Sequence, residues 1–318
     1  YIILYIMKNV KSQIVFILIL LFSLKINAQY QPKNLSQTDL KKANEWVNAT
    51  YQNLSQDEKL GQLFIIALYT NKGEDYISNV RNIVNNEKIG GLILMQDDAA
   101  REINLVNEFQ SKSKVPLMIG MDAEWGIFQR IATAHKFPWA MTLGAIQDKN
   151  LISEMAAKIA EDCKRMGINW DFAPVVDVNT NPNNPIIGNR SFGSEVTNVV
   201  NSALAYSNGL QDHNILAAIK HFPGHGDTNT DSHLDLPVVS HDLKRLNEIE
   251  LAPFKTLMDK GIGGVMVAHL YVPALEKEKG IPASISKNII TGLLKEKYGY
   301  KGLIITDALN MGAVAKRY

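Results

Sequence analysis

ILAAIKHFPGHGDTNTDSHLDLP (residues 215–237) passes from an apolar run into a polar stretch, and from Lys220 on it carries three histidines, three acids and two glycines. Ile215 to His221 reads as a strand, because a short, continuous Ile/Leu/Ala run fits a strand buried on both faces of a parallel sheet. The loop after it is too polar to build a core. A polar loop on a rigid scaffold is where binding and proton-transfer groups concentrate.

Working outward, the same pattern recurs. Strand candidates are Leu60–Leu68, Gly90–Met95, Pro116–Asp122, Asn169–Asp177, Ile215–His221, Gly263–His269 and Gly302–Asp307. Helical spacing separates them. Leu151, Ile152, Met155, Ala156, Ile159, Ala160, Cys163 and Met166 lie on one helix, with Gly167 as its stop. Ser286 reads as the cap of a helix through Ile289, Ile290, Leu293 and Leu294, ended by Gly299. Leu40, Ala43, Trp46 and Val47 mark a further helix near the start.

Repeated strand–helix units define an α/β fold. Charged groups end successive strands: Asp122 with Glu124, Asp177, Lys220 with His221, His269 and Asp307. That gathering is the arrangement of the active face of a TIM-type (β/α)8 barrel. An open doubly wound sheet also places ligands at this edge, usually with a Gly-rich phosphate turn after its first strand, and no such turn is present. Seven strands are visible, so the barrel is expected to lack its last strand–helix unit through C-terminal truncation.

Hydrophobic residues make up 46% of the 318, enough for one sizeable core. The net charge of +1 gives no electrostatic argument for nucleic acid. A single cysteine, Cys163, excludes an internal disulfide and reads as a buried apolar side chain. Met7, Lys8 and Lys11 precede an apolar run from Ile14 to Leu24, and Ile26-Asn27-Ala28 comes next. Residues 1–28 therefore read as a signal peptide, and 29–318 as the barrel, incomplete at its C-terminus. The expected location is the bacterial envelope or beyond. No membrane span after cleavage and a monomer are expected.

The chemistry-bearing residues admit more than one use. Asp307, the first charge after Gly302, can be a nucleophile, a metal ligand or a helix cap. In Asp231-Ser232-His233 the acid can orient the imidazole and raise its basicity, or both can belong to a solvated turn. Lys220 and His221 can donate to sugar hydroxyls or form a core ion pair. Arg190, between Gly188 and Gly193, can clamp a hydroxyl or tie two loops together. His221, His225, His233, Asp227 and Asp231 do not have metal-site spacing, so no metal or other cofactor is expected.

KHFPGHGDTNTDSHLDLP (220–237) resembles the signature loop of glycoside hydrolase family 3 beta-N-acetylglucosaminidases. GQLFI (61–65) looks like the family's first barrel strand, and MDAEWG (121–126) resembles its acid-rich third-strand end. DFAPVVDVNTNPNNPIIGNRSFG (171–193) is similar to its Arg-bearing segment, and LIITDALNMGAV (303–314) to its nucleophile strand. Most intracellular relatives read acid-Glu-Gly-Gly where this chain has Asp122-Ala123-Glu124-Trp125-Gly126.

The resemblance implies Asp307 as nucleophile, His233 as general acid/base and Asp231 as the residue that tunes it. It implies Asp122, Arg190, Lys220 and His221 as ligands of the sugar hydroxyls. The activity it implies is retaining removal of terminal beta-linked N-acetylglucosamine from peptidoglycan fragments or chitooligosaccharides, a small saccharide being the only partner. The alternatives are a family 3 beta-glucosidase-like enzyme and a non-catalytic carbohydrate-binding remnant.

Overall fold

In the computed structural model, residues 37–318 are described, so the expected signal peptide lies outside them. Seven strands form one all-parallel sheet in chain order: β1 (Ile65–Leu68), β2 (Gly91–Leu94), β3 (Met118–Met121), β4 (Trp170–Asp171), β5 (Leu216–Phe222), β6 (Gly264–Val267) and β7 (Leu303–Thr306). Before β1 come α1 (Gln37–Gln52) and α2 (Gln56–Gly61). Then α3 (Glu74–Glu87) precedes β2, and α4 (Ala99–Lys112) precedes β3. Helices α5 (Ala140–Gly144) and α6 (Lys149–Arg165) lead into β4, and α7 (Val196–Gln211) into β5. Next come α8 (Leu243–Glu248) and α9 (Ala252–Asp259), then β6, the wide-turned α10 (Asn288–Lys297), β7 and α11 (Gly312–Ala315). The result is the expected α/β architecture of TIM type with seven strands, β1 and β7 being the sheet's two edges. Among the described residues no helix is long and apolar enough to cross a membrane.

Alternation along the strands divides the apolar side chains into two sets. Ile65, Ile93, Met118, Trp170, Leu216, Ala218, Met266 and Ile305 form one cluster with Phe172, drawing on every strand. Leu68, Leu92, Leu94, Ile119, Met121, Ala217, Ile219, Val265 and Val267 belong to the other, together with helix residues such as Val80, Val106, Ile159 and Leu210. Successive strand residues point to opposite faces. The first cluster is thus the filled concave interior and the second the layer between sheet and helices. Gly120 makes room in that interior, since a Cβ there would lie 2.5 Å from the Phe172 ring.

Two expected strand boundaries need correction. Residues 60–64 do not extend β1, and of GQLFI only Ile65 is strand. Ser55 and Glu58 form a reciprocal capping box that starts α2, which runs to Gly61. The second concerns β4, whose ladder covers only Trp170 and Asp171. Beyond it the chain stays beside β5 with irregular pairing: Ala218 and Lys220 amides donate to the carbonyls of Ala173 and Pro174, and Val176 donates to Lys220. Pro174, which has no N–H, breaks the regular ladder.

The expected helices are present. Asp148 caps α6, whose Ile152, Ala156, Ile159, Ala160 and Cys163 are buried, and Gly167 leaves it at φ +73°. Ser286 Oγ accepts the Ile289 amide at 3.1 Å at the start of α10, and Gly299 lies beyond the helix at φ +65°.

Glu102 runs against this economy. It sits in the first turn of α4 with no exposed surface, and neither carboxylate oxygen has a hydrogen-bond partner. Burial, helped by the neighbouring charge of Asp97, pushes its pKa up to about 8. The unfolded carboxyl releases its proton near 4.5, whereas the folded one keeps it to about 8, so stability falls as pH rises between those values. Glu102→Gln should remove that slope. Melting at pH 5 and pH 8 checks this: the variant should gain on the wild type at pH 8 by on the order of a few kcal/mol. Parallel curves would contradict it.

Candidate active site

The charged groups that end β3 and β5, with Arg190 from the loop after β4, converge on one network. Lys220, near the end of β5 and only 2% exposed, places Nζ 2.8 Å from both Asp122 Oδ1 and Glu124 Oε1. Arg190 grips Glu124 through two bonds, Nε to Oε2 at 3.0 Å and Nη2 to Oε1 at 2.8 Å. Its Nη2 also lies 3.2 Å from His221 Nε2. Asp122 receives a second cation, Arg130, at 2.5 Å. All four residues expected to hold sugar hydroxyls are therefore brought together. The contacts observed are those of the ion-pair reading of Lys220 and the loop-tie reading of Arg190.

Burial alone would raise the Asp122 and Glu124 carboxyls. Lys220 with Arg130 outweighs it at Asp122, and Arg190 with Lys220 at Glu124, leaving both below the usual carboxylate range. Lys220 shows the converse: burial would lower it, and Asp122 and Glu124 raise it instead. The network is thus fully ionised at neutral pH, with each charge partnered.

Asp177 anchors the next layer. Its Oδ2 lies 2.7 Å from His221 Nδ1, and its Oδ1 accepts the His225 amide at 2.6 Å. The carboxylate accepts, so Nδ1 of His221 carries a proton and orients the ring. Asp171, fully buried below, accepts the Ala123 amide at 3.0 Å and so fixes the backbone between Asp122 and Glu124.

Asp307 directly follows β7. Its amide donates to Val267 and its Oδ1 accepts the Ala308 amide at 2.8 Å. It does not cap α11, which begins after Met311 without a side-chain cap. His269, at the end of β6, donates from Nε2 to the Ala308 carbonyl at 2.9 Å while Ser284 meets its Nδ1 at 2.6 Å. It thereby braces the turn that carries Asp307.

Asp231 and His233 form the expected pair. Asp231 Oδ1 accepts both the His233 amide, at 2.9 Å, and its Nδ1, at 2.7 Å. Burial would raise Asp231, and these two bonds outweigh it, holding the carboxyl low. The segment is fastened to the chain just beyond Asp307: Gly312 donates to the His233 carbonyl and Ala313 to that of Ser232, each at 3.2 Å.

Sequence reasoning gave no site role to Glu124, Arg130, Asp177 or His269. For Glu124 and Asp177 the signal was present, as acids at strand ends. Arg130 lies in a loop with no distinguishing pattern. A second acid–imidazole pair, Asp227 Oδ2 to His241 Nε2 at 2.5 Å, also went unread. No group of three or more His, Cys, Asp or Glu among the described residues is placed to hold a metal.

Residues 55–318 match the model of the glycosyl hydrolase family 3 N terminal domain, and the chain belongs to that family. It is 38% identical over 256 residues to beta-hexosaminidase A of Pseudoalteromonas piscicida, covering 73% of this chain and 43% of that protein. A glycoside hydrolase family 3 beta-N-acetylglucosaminidase from Paenibacillus sp. str. FPU-7 superposes with a TM-score of 0.76 at 37% identity, over 83% of this chain and 51% of that one. Beta-glucoside phosphorylase BglX bound to 2FGlc superposes at 0.82 with 28% identity, over 89% and 51%. The chain spans about half the length of the first curated relatives it matches.

Proposed function

We propose that this chain carries the catalytic barrel of a retaining exo-glycosidase that removes terminal beta-linked N-acetylglucosamine. The observation that carries the reading is the fastening of the Asp231–His233 segment to the chain just beyond Asp307. Asp307 attacks the anomeric carbon and forms a glycosyl-enzyme. His233 gives its proton to the leaving oxygen, then takes one from the water that bonds to the anomeric carbon as the bond to Asp307 breaks and its carboxylate is freed. An imidazole suits this double task because its ordinary pKa lies near neutral pH. Retaining enzymes more often use a second carboxyl there. Asp122, Arg190, Lys220 and His221 hold the sugar hydroxyls, with Asp122 and Arg190 the more accessible, each 18% exposed at the side chain. An export segment at residues 1–28 would deliver the enzyme to peptidoglycan fragments or chitooligosaccharides.

A second reading, action on beta-glucosides, is favoured by the likeness to BglX and to the beta-N-acetylglucosaminidase/beta-glucosidase of Cellulomonas fimi, 30% identical over 278 residues. Parallel assays of aryl N-acetylglucosaminide and aryl glucoside, with and without inorganic phosphate, separate the two. We expect kcat/KM at least about tenfold higher for the N-acetylated sugar, a difference of about 1.4 kcal/mol in transition-state binding. A preference for glucoside, or turnover that requires phosphate, would replace the first reading with the second.

A further inference from the structure

Asp231 and His233 are partly exposed, the His233 side chain by 60%, yet Ser232 between them is 3% exposed. Ser232 faces the core and meets His225, itself 2% exposed. Proton counting fixes the direction of each bond. The Thr228 hydroxyl donates to the His225 carbonyl at 3.0 Å, so its oxygen accepts from His225 Nδ1 at 2.5 Å. Burial pushes the His225 pKa down to about 4, so the ring is neutral and its other nitrogen is an acceptor. Ser232 Oγ therefore donates to His225 Nε2 at 3.3 Å. On its other side the Ser232 carbonyl accepts the Ala313 amide at 3.2 Å. The His225 amide rests on Asp177, whose other oxygen holds His221.

We propose that Ser232 and His225 are positioning residues: together they pin the otherwise exposed Asp231–His233 pair to the rigid end of β5, setting where the proton donor stands. The proposal rests on His233 being that donor. Neither residue touches the sugar. Both act through His233, so their loss weakens proton donation and leaves sugar binding and nucleophilic attack intact.

The test compares methyl and 2,4-dinitrophenyl N-acetylglucosaminides, of which only the first needs a proton on its leaving oxygen. His233→Ala sets the reference, with kcat down about a hundredfold on the methyl glycoside and less than about tenfold on the dinitrophenyl one. Ser232→Ala should lower kcat about tenfold on the methyl glycoside and less than about twofold on the other, with KM unchanged. Ser232→Thr, which keeps the hydroxyl, should restore most of the loss. His225→Phe, which fills the ring's volume without its nitrogens, should reproduce the Ser232→Ala pattern. A partly unfolded enzyme would instead lose both rates together. Equal losses on both substrates, or none, in Ser232→Ala overturn the proposal while a leaving-group-dependent His233→Ala keeps His233 as donor. A His233→Ala enzyme indifferent to the leaving group overturns both.

Discussion

Asp307→Asn should lower turnover of an aryl N-acetylglucosaminide by at least about a thousandfold, with little change in fold. The amide is nearly isosteric with the carboxylate, and its oxygen can still accept the Ala308 amide that Asp307 Oδ1 accepts now. The turn stays braced by His269 on the Ala308 carbonyl. What disappears is the negative oxygen that would bond to the anomeric carbon. Intact-mass spectrometry with a slowly released glycoside provides the second readout, an added sugar mass on the wild type and none on the variant. Turnover within about tenfold of wild type would remove Asp307 from the nucleophile role.

Lys220→Met should destabilise the protein by about 3–5 kcal/mol at pH 7, because it removes one partner of a buried ion cluster and leaves the other charges in place. Within the network, Lys220 bridges Asp122 and Glu124. Arg130 and Arg190 would remain, one on each acid. The sign of the pH effect comes from the two carboxyls. Their folded pKa values lie below the unfolded ones, so their stabilisation is present above the unfolded values and is lost as pH falls through the folded ones. Without Lys220 they protonate more readily. The deficit should therefore be largest near neutral pH and shrink toward pH 4. Denaturant titration at both values measures it, and a deficit under about 1 kcal/mol at pH 7 would show that the arginines suffice.

The seven strands were legible because both faces of a parallel sheet are buried, so each strand reads as an uninterrupted apolar run. Their charged ends were legible for the same reason: Asp122, Lys220 and Asp307 interrupt apolar runs. The start of β1 was misjudged because Leu60, Leu63 and Phe64 are apolar yet exposed, and a local capping box overrode their pattern. Long-range partners were not legible. Arg190 meets Glu124 across 66 residues and Lys220 meets Asp122 across 98, and spacing in the chain carries no record of which opposite charges the folded sheet sets side by side. His269 was seen as a strand end, but its hold on Ala308 depends on the neighbouring strand and was invisible.

The ionic network has a further consequence for assembly. Its members arrive from β5 and from the segments after β3 and β4, and apart from the Arg130–Asp122 pair each contact joins two different segments. A chain with β5 slipped by a single residue would turn Lys220 away from Asp122 and Glu124 and leave it an uncompensated buried ion. The same side chains proposed to hold the sugar thus act as a proofreading device for strand alignment, favouring one arrangement of this part of the sheet over its neighbours.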